Sequence, residues 1–310
     1  MELIRPTAEI LEQDTSSPLE GIWKHIARCT RVCYQSEKKD NNESEEEFVK
    51  RVILRHKPWS SEVNHLAMLE HGTVYLKVGH DSAVERIMYP NYLYNKYSII
   101  RHNQEDNCFY ITTNLRVLVE NDWLDDLTFI CAPTEHHAKR VTVSFTTNIG
   151  VSREFNRHRV NSIAEESTRY CNYHLDKFNN SITFALPSWI DINETEIQAC
   201  RTAEVESDMY ADMRINMELS DNWNTIDWYL YALSTSALAY KKLIQLGWKP
   251  QQAREVLPLA TKTQLIHTAF IDDWKHFFAL RADGISGPPH PNAALIAKPL
   301  KEEFIKRNLL

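Results

Sequence analysis

Apolar positions recur at helical spacing over residues 21–31 and again over 46–55, where Phe48, Val49, Val52, Ile53 and Leu54 share a face. Lys57-Pro58 predicts the end of that second helix, because the residue before a proline avoids the helical region. The acidic, Asn-rich run at 38–47 offers nothing to a core and predicts a solvated loop or helix start. The period then changes. Residues 72–79, 108–118, 140–146 and 181–186 alternate and are rich in Val, Thr, Ile, Tyr and Phe, so they predict strands of one antiparallel sheet. From 203 onward the spacing is helical: 203–219, then 225–247 stopping at Gly247, then a helix opened by Pro250 and ended by Leu257-Pro258. A further helix is expected near 272–281, and a last one bent or split at Pro299. Strands first and helices later, with no repeat and no Pro/Gly/Ser linker, predict an α+β fold in one domain over 1–310.

Composition narrows the chemistry. A chain of 310 residues can bury a large core without disulfide staples, and its six scattered cysteines contain no CxxC, so they read as reduced thiols. The formal charge of −7 argues against a protein that works by neutralising nucleic-acid phosphates. Seven glycines, none suitably spaced, exclude both a GxGxxG fingerprint and a GxxxxGK loop, so a bound nucleotide must be held another way. No stretch reaches the roughly 18 apolar residues of a membrane span, and the opening MELIRPTAEILEQD lacks a secretory apolar run. The expected address is cytoplasmic.

The densest chemistry lies at 153–171, which holds four arginines and a histidine. Arg153 and Arg157 share a face if the stretch is helical, whereas Arg157 and Arg159 point apart. Planar guanidinium groups grip phosphate in a bidentate fashion, so such a cluster can replace the missing glycine loop. The plainer alternative is a solvated face paired to Glu154, Glu165 and Glu166. Ser162-x-x-Glu165 also has the spacing of a helix capping box. Ser167 has carboxylates and Arg169 as neighbours and no histidine base, which favours a hydrogen-bonding role over a nucleophilic one.

Arg157-His158-Arg159, seven residues, Ser167 and then Thr168-Arg169-Tyr170 resemble the RHR-x7-S signature of the flavin-dependent thymidylate synthases, the ThyX family. Three more blocks agree in order. Leu69-Glu70-His71-Gly72-Thr73 resembles the FEH-x-T segment, Ala253-Arg254-Glu255-Val256-Leu257-Pro258-Leu259 the AR-x-x-LPL helix end, and His276-Phe277-Phe278-Ala279-Leu280-Arg281 the HF-x-x-LR stretch. The resemblance implies a twisted, mainly antiparallel sheet flanked by helices, with a family-atypical insertion near 77–140.

It also implies an activity. Enzymes of this family transfer a methylene from methylenetetrahydrofolate to carbon 5 of dUMP and reduce it with FAD that NADPH has reduced; the protein orients and polarises. By this likeness Glu154, Arg157, Glu165, Ser167, Thr168, Arg169, Arg254 and Arg281 would contact dUMP, and His71, Thr73, Arg157, His158, Arg159, Glu165 and His276 would contact FAD. Arg281 is the expected catalytic residue, a fixed cation that stabilises negative charge on the uracil ring. A homotetramer with shared active sites is implied too.

Some positions depart from the pattern. Phe270 and Asp272 stand where the family has asparagine and arginine in a flavin contact, Glu154 where it has glutamine, Thr168 where it has glycine, and His290-Pro291-Asn292 where it has HAQ. A non-catalytic nucleotide-binding relative is the main rival, and flavin content separates the two. A metal protein is suggested only by His136-His137, without ligand spacing, and no Pro-Pro-Cys-His stretch of a cysteine-nucleophile synthase exists.

Overall fold

The computed structural model describes residues 1–36, 43–53, 66–80, 85–169, 171–173, 175, 181–197 and 223–310. The expected helix at 203–219, the loop at 38–42, Lys57-Pro58, Tyr170 and Cys200 lie outside the described residues. The strands are β1 (Glu2–Ile4), β2 (Thr7–Leu11), β3 (Thr73–Gly79), β4 (Ile99–Asn103), β5 (Cys108–Asn114), β6 (Arg140–Asn148), β7 (Ser162–Glu165), β8 (Thr183–Ala185) and β9 (Lys262–Phe270).

Helices and antiparallel sheet are mixed as expected, but the described strands do not form one sheet. They divide into an antiparallel sheet ordered β2-β6-β9-β7, an antiparallel sheet ordered β3-β5-β4, and a parallel pair of β1 and β8. Partner choice depends on contacts between residues far apart in sequence, which local alternation does not encode. Strand β9 interrupts the region expected to be wholly helical and pairs along its whole length with β6, Arg140 facing Phe270 and Asn148 facing Lys262.

Among the described residues three large apolar cores follow from this division, and Leu11, Cys29, Ala164 and Ile266 form a smaller fourth. Under the four-stranded sheet, Val143, Phe145, Phe155 and Leu265 meet Trp274, Phe277 and Phe278 and the C-terminal helix residues Ile296, Leu300 and Phe304. The buried Trp274 indole donates to the Val141 carbonyl at 3.0 Å, so its one polar atom is satisfied. A second core joins the helix Pro18–Tyr34 to the three-stranded sheet through Ile22, Ile26, Leu69, Val74, Leu76 and Ile111. The helix comes so close that a Cβ on Gly72 would lie 2.6 Å from Ile26 Cδ1. A larger residue there would have to push Ile22 and Ile26 aside. The third core packs Phe184, Leu186 and Ile190 against Leu233, Ala237 and Tyr240 of the helix Thr225–Gln245.

Two helical expectations change. The C-terminal helix Pro291–Lys306 runs through Pro299 without a break. The helix opened by Pro250 ends at Ala253, and Arg254–Val256 continue as a 3-10 turn before Leu257-Pro258. The helix Ile271–Phe278 widens into a π-turn at Ala279–Asp283, the turn that carries Arg281. Such turns are frequent at functional sites.

Candidate active site

Strand β6 ends at Asn148, whose side chain accepts from the Val151 amide at 2.9 Å and so starts the helix Ile149–Phe155. The helix stops at Phe155, which takes Arg157 off the helical face that would have paired it with Arg153. A turn follows in which Arg157 and Arg159 are exposed and His158 between them is buried. The chain then enters β7. Ser162 and Glu165 are therefore strand residues, and the capping-box expectation gives way: Ser162 Oγ accepts from Arg140 Nη2 at 3.3 Å, while Glu165 accepts from Asn156 Nδ2 at 2.9 Å and Thr263 Oγ1 at 3.1 Å.

Arg281 reaches this turn from the other end of the chain. Its Nη1 donates to Glu154 Oε2 at 2.8 Å, its Nη2 to the Glu154 carbonyl at 2.7 Å, and its Nε to His158 Nε2 at 3.1 Å. The side chain is 14% exposed, so the charge sits at the edge of the interior, each of its three nitrogens donating one bond and two of its five N–H groups left over. The other Glu154 oxygen lies 3.9 Å from Arg157 Nη1, so one carboxylate links both arginines. Burial, with the positive charge of Arg281 and then His276 adding to it, pulls the His158 ring down to about 4, so it is neutral at pH 7 and accepts through Nε2. His276 stands beside it, ring centroids 5.8 Å apart.

Beyond β7, the Ser167 amide donates to the Cys33 carbonyl at 2.9 Å, and the Ser167 carbonyl accepts from the Cys171 amide. Among the described residues no histidine bonds its hydroxyl. Thr168 Oγ1 accepts from Arg254 Nη1 at 3.0 Å, which joins the block that begins at Arg157 to the one that begins at Ala253. Arg169 is exposed on the same segment. Glu166, read from the sequence only as a solvated acid paired to the arginines, is instead fully enclosed, with its Oε2 2.6 Å from Lys262 Nζ and its Oε1 accepting from Tyr173.

His71 and Thr73 lie on the far side of β9. His71 has no exposed surface; its Nδ1 bonds Thr268 Oγ1 at 2.8 Å, and Thr268 meets Thr142, which meets His25, in a buried polar chain linking sheet to helix. Thr73 Oγ1 accepts from Arg140 Nη1 at 3.2 Å. Sequence reasoning missed Arg140, because a basic residue opening a strand carries no signal of its own. Asp272 is 86% exposed and pairs with Lys275, and Phe270 lies under the Arg140 guanidinium at 5.4 Å. The cation at this corner thus comes from the facing strand.

The model of the thymidylate synthase complementing protein family, Thy1, matches residues 129–306, more than half of the chain. The chain belongs to that family, ThyX. Flavin-dependent thymidylate synthases of Thermosipho melanesiensis and Pyrococcus furiosus are 30% identical over 153 residues and 29% identical over 125 residues, covering 49% and 40% of this chain. The matched parts are 57% and 38% of those relatives, so the chain spans little more than half the length of one and under two fifths of the other. Structures of a UMP/dUMP methylase, PolB, from Streptomyces cacaoi, with 5-Br UMP and with 5-Br dUMP, align over 99% of this chain and over 92% and 93% of theirs. At 15% identity and a TM-score of 0.42 that likeness is too slight to build on. The ThyX match contains the Arg157–Arg159 turn, Ser167, Arg254, His276 and Arg281; His71 and Thr73 precede it.

Proposed function

We propose that this ThyX chain is a flavin-dependent thymidylate synthase that methylates dUMP to dTMP, with methylenetetrahydrofolate as carbon donor and NADPH as reductant. The observation that carries the reading is the convergence of Arg281 on Glu154 and His158, two sequence blocks more than a hundred residues apart meeting through three hydrogen bonds. Arg281 would stabilise negative charge on the uracil ring and so raise electron density at carbon 5, with Glu154 and neutral His158 fixing the guanidinium. Arg157, Glu165, Ser167, Thr168, Arg169 and Arg254 complete the dUMP set, Thr168 and Arg254 already being bonded to each other.

The donor set suits FAD. Arg159 and Arg140 face one pocket, and Arg140 has no carboxylate in ion-pair contact among the described residues, as a diphosphate ligand requires. FAD, when bound, supplies the hydride chemistry. His158, Arg159, Arg157, Glu165 and His276 would hold it, with Thr73 behind them through Arg140 and His71 through Thr268. That pocket measures about 280 Å³, below the roughly 300–1,000 Å³ of drug-sized sites. A whole dinucleotide needs further walls, which a homotetramer with shared sites would provide. Among the described residues no helix is long and apolar enough to cross a membrane; a cytoplasmic address belongs to this same proposal.

The test is chromatographic detection of dTMP from dUMP, methylenetetrahydrofolate, NADPH and FAD. Formation that disappears on leaving out any one component supports the reading. Stoichiometric dUMP binding without dTMP would favour a non-catalytic nucleotide-binding relative.

A further inference from the structure

Antiparallel pairing with β9 sorts the end of β7 onto two faces. Glu165 lies opposite Leu265, and its side chain accepts from Thr263 Oγ1, two residues along β9 on the same face. Glu166 comes next, and its amide bonds the Gln264 carbonyl at 2.7 Å. Its side chain therefore falls on the other face, the face of Lys262, whose Nζ stands 2.6 Å from Glu166 Oε2. Tyr173 donates to Glu166 Oε1 at 3.1 Å, and its ring lies 5.8 Å from that of Tyr240 in the third core. Beyond Glu166 the chain leaves β9. The Ser167 amide turns to the Cys33 carbonyl of the helix Pro18–Tyr34, and Thr168 takes up Arg254. Ser167, Thr168 and Arg169 thus follow directly on an enclosed carboxylate.

That carboxylate is costly where it stands. The Glu166 side chain has no exposed surface, and that of Lys262 is 17% exposed. Apolar groups of similar shape commonly hold a core as well as a buried ion pair does, or better. What the pair adds over a leucine is direction: bonds from Lys262 and Tyr173 to one carboxylate fix the point and the angle at which the chain departs from the sheet.

We propose that Glu166, held by Lys262 and Tyr173, is a positioning residue for nucleotide binding, which aims Ser167, Thr168 and Arg169 at dUMP from behind the strand. This rests on the assignment of those three residues to dUMP in the reading above, and it concerns affinity more than the chemical step.

The test is calorimetric titration of the full chain with dUMP, alongside dTMP-formation kinetics, on wild type, Lys262→Arg, Tyr173→Phe and the triple variant Glu166→Leu/Lys262→Met/Tyr173→Phe. The triple variant exchanges the whole unit for apolar groups, so its melting temperature is expected to equal or exceed that of wild type. It is nonetheless expected to bind dUMP about tenfold more weakly, and to raise KM for dUMP more than it lowers kcat. Tyr173→Phe leaves the ion pair in place and is expected to weaken dUMP a few-fold, a reading that stands even where the triple variant does not fold. Lys262→Arg keeps the cation and is expected to recover most of the affinity lost by the triple variant. Weaker dUMP binding by a stable triple variant, in a chain whose wild type forms no dTMP, would leave the positioning role standing and remove the synthase reading. Wild-type dUMP affinity in the triple variant and in Tyr173→Phe, or losses that only follow lowered melting temperatures, overturn the proposal and leave the pair a core element. Absent dUMP binding in wild type overturns it together with the reading on which it rests.

Discussion

The contact between Arg281 and Glu154 makes the sharpest quantitative demand. Three bonds converge on one guanidinium, two of them to the same residue, and the partners are 14% and 32% exposed. An exposed pair would couple by about 0.2–1 kcal/mol, and contacting residues in one network by about 0.5–3 kcal/mol. Partial burial and the added carbonyl contact place this pair at about 1–2 kcal/mol. The measurement is a double-mutant cycle with Arg281→Met, Glu154→Gln and both, by urea unfolding in 0.1 M and 1 M salt. The coupling is expected to survive high salt, since the guanidinium is shielded from most of the ionic atmosphere. Arg281→Met is also expected to lower dTMP formation by about 10²–10³, the usual cost of losing one preorganised charge at a transition state, with flavin still bound. Singles that add to within about 0.5 kcal/mol would show that the two residues do not act as a unit. Undiminished dTMP formation by Arg281→Met would refute its role at the uracil.

Protonation should destabilise the fold on the acid side. His158 is held at about 4, His25 at about 4 and His267 at about 3, all chiefly by burial, so the unfolded chain takes up protons below about 6.5 that the native chain refuses. Stability is therefore expected to fall as pH drops from about 6.5 toward 4, and His158→Asn to flatten that slope; identical slopes in urea titrations would contradict it. Lys262→Met leaves the enclosed Glu166 without its cation and is expected to cost about 3–5 kcal/mol, much of it recovered in Glu166→Gln/Lys262→Met, and an unchanged urea midpoint in the single variant would sink this account of the pair. Ser167→Ala is expected to keep detectable dTMP turnover, because among the described residues no histidine bonds the hydroxyl; total loss with normal dUMP binding would make the serine a nucleophile after all.

What the sequence made legible is what is local. Alternation in 72–79 and 140–146 marks β3 and β6, and Pro250 stands at a helix start as its fixed φ requires. Strand β9 escaped because Lys262, Gln264 and His267 give it no clean apolar face, and its burial is decided by β6 and β7 on either side. The four residues of β7 were too few to outweigh a cap-like spacing. The motif blocks single out Arg281, but not its hold on Glu154. Arg140 was invisible for a physical reason: its bonds to Thr73, Ser162 and the Glu70 carbonyl join residues far apart along the chain, and no spacing reports them.

The central claim is reductive methylation of dUMP on a flavin, and the most direct measurement is the absorption spectrum of the purified chain under anaerobic NADPH, with and without dUMP. A flavin band that bleaches, and bleaches faster when dUMP is present, is the expected result. A colourless protein that takes up no added FAD would contradict it, with Phe270 and Asp272 as the positions to restore first.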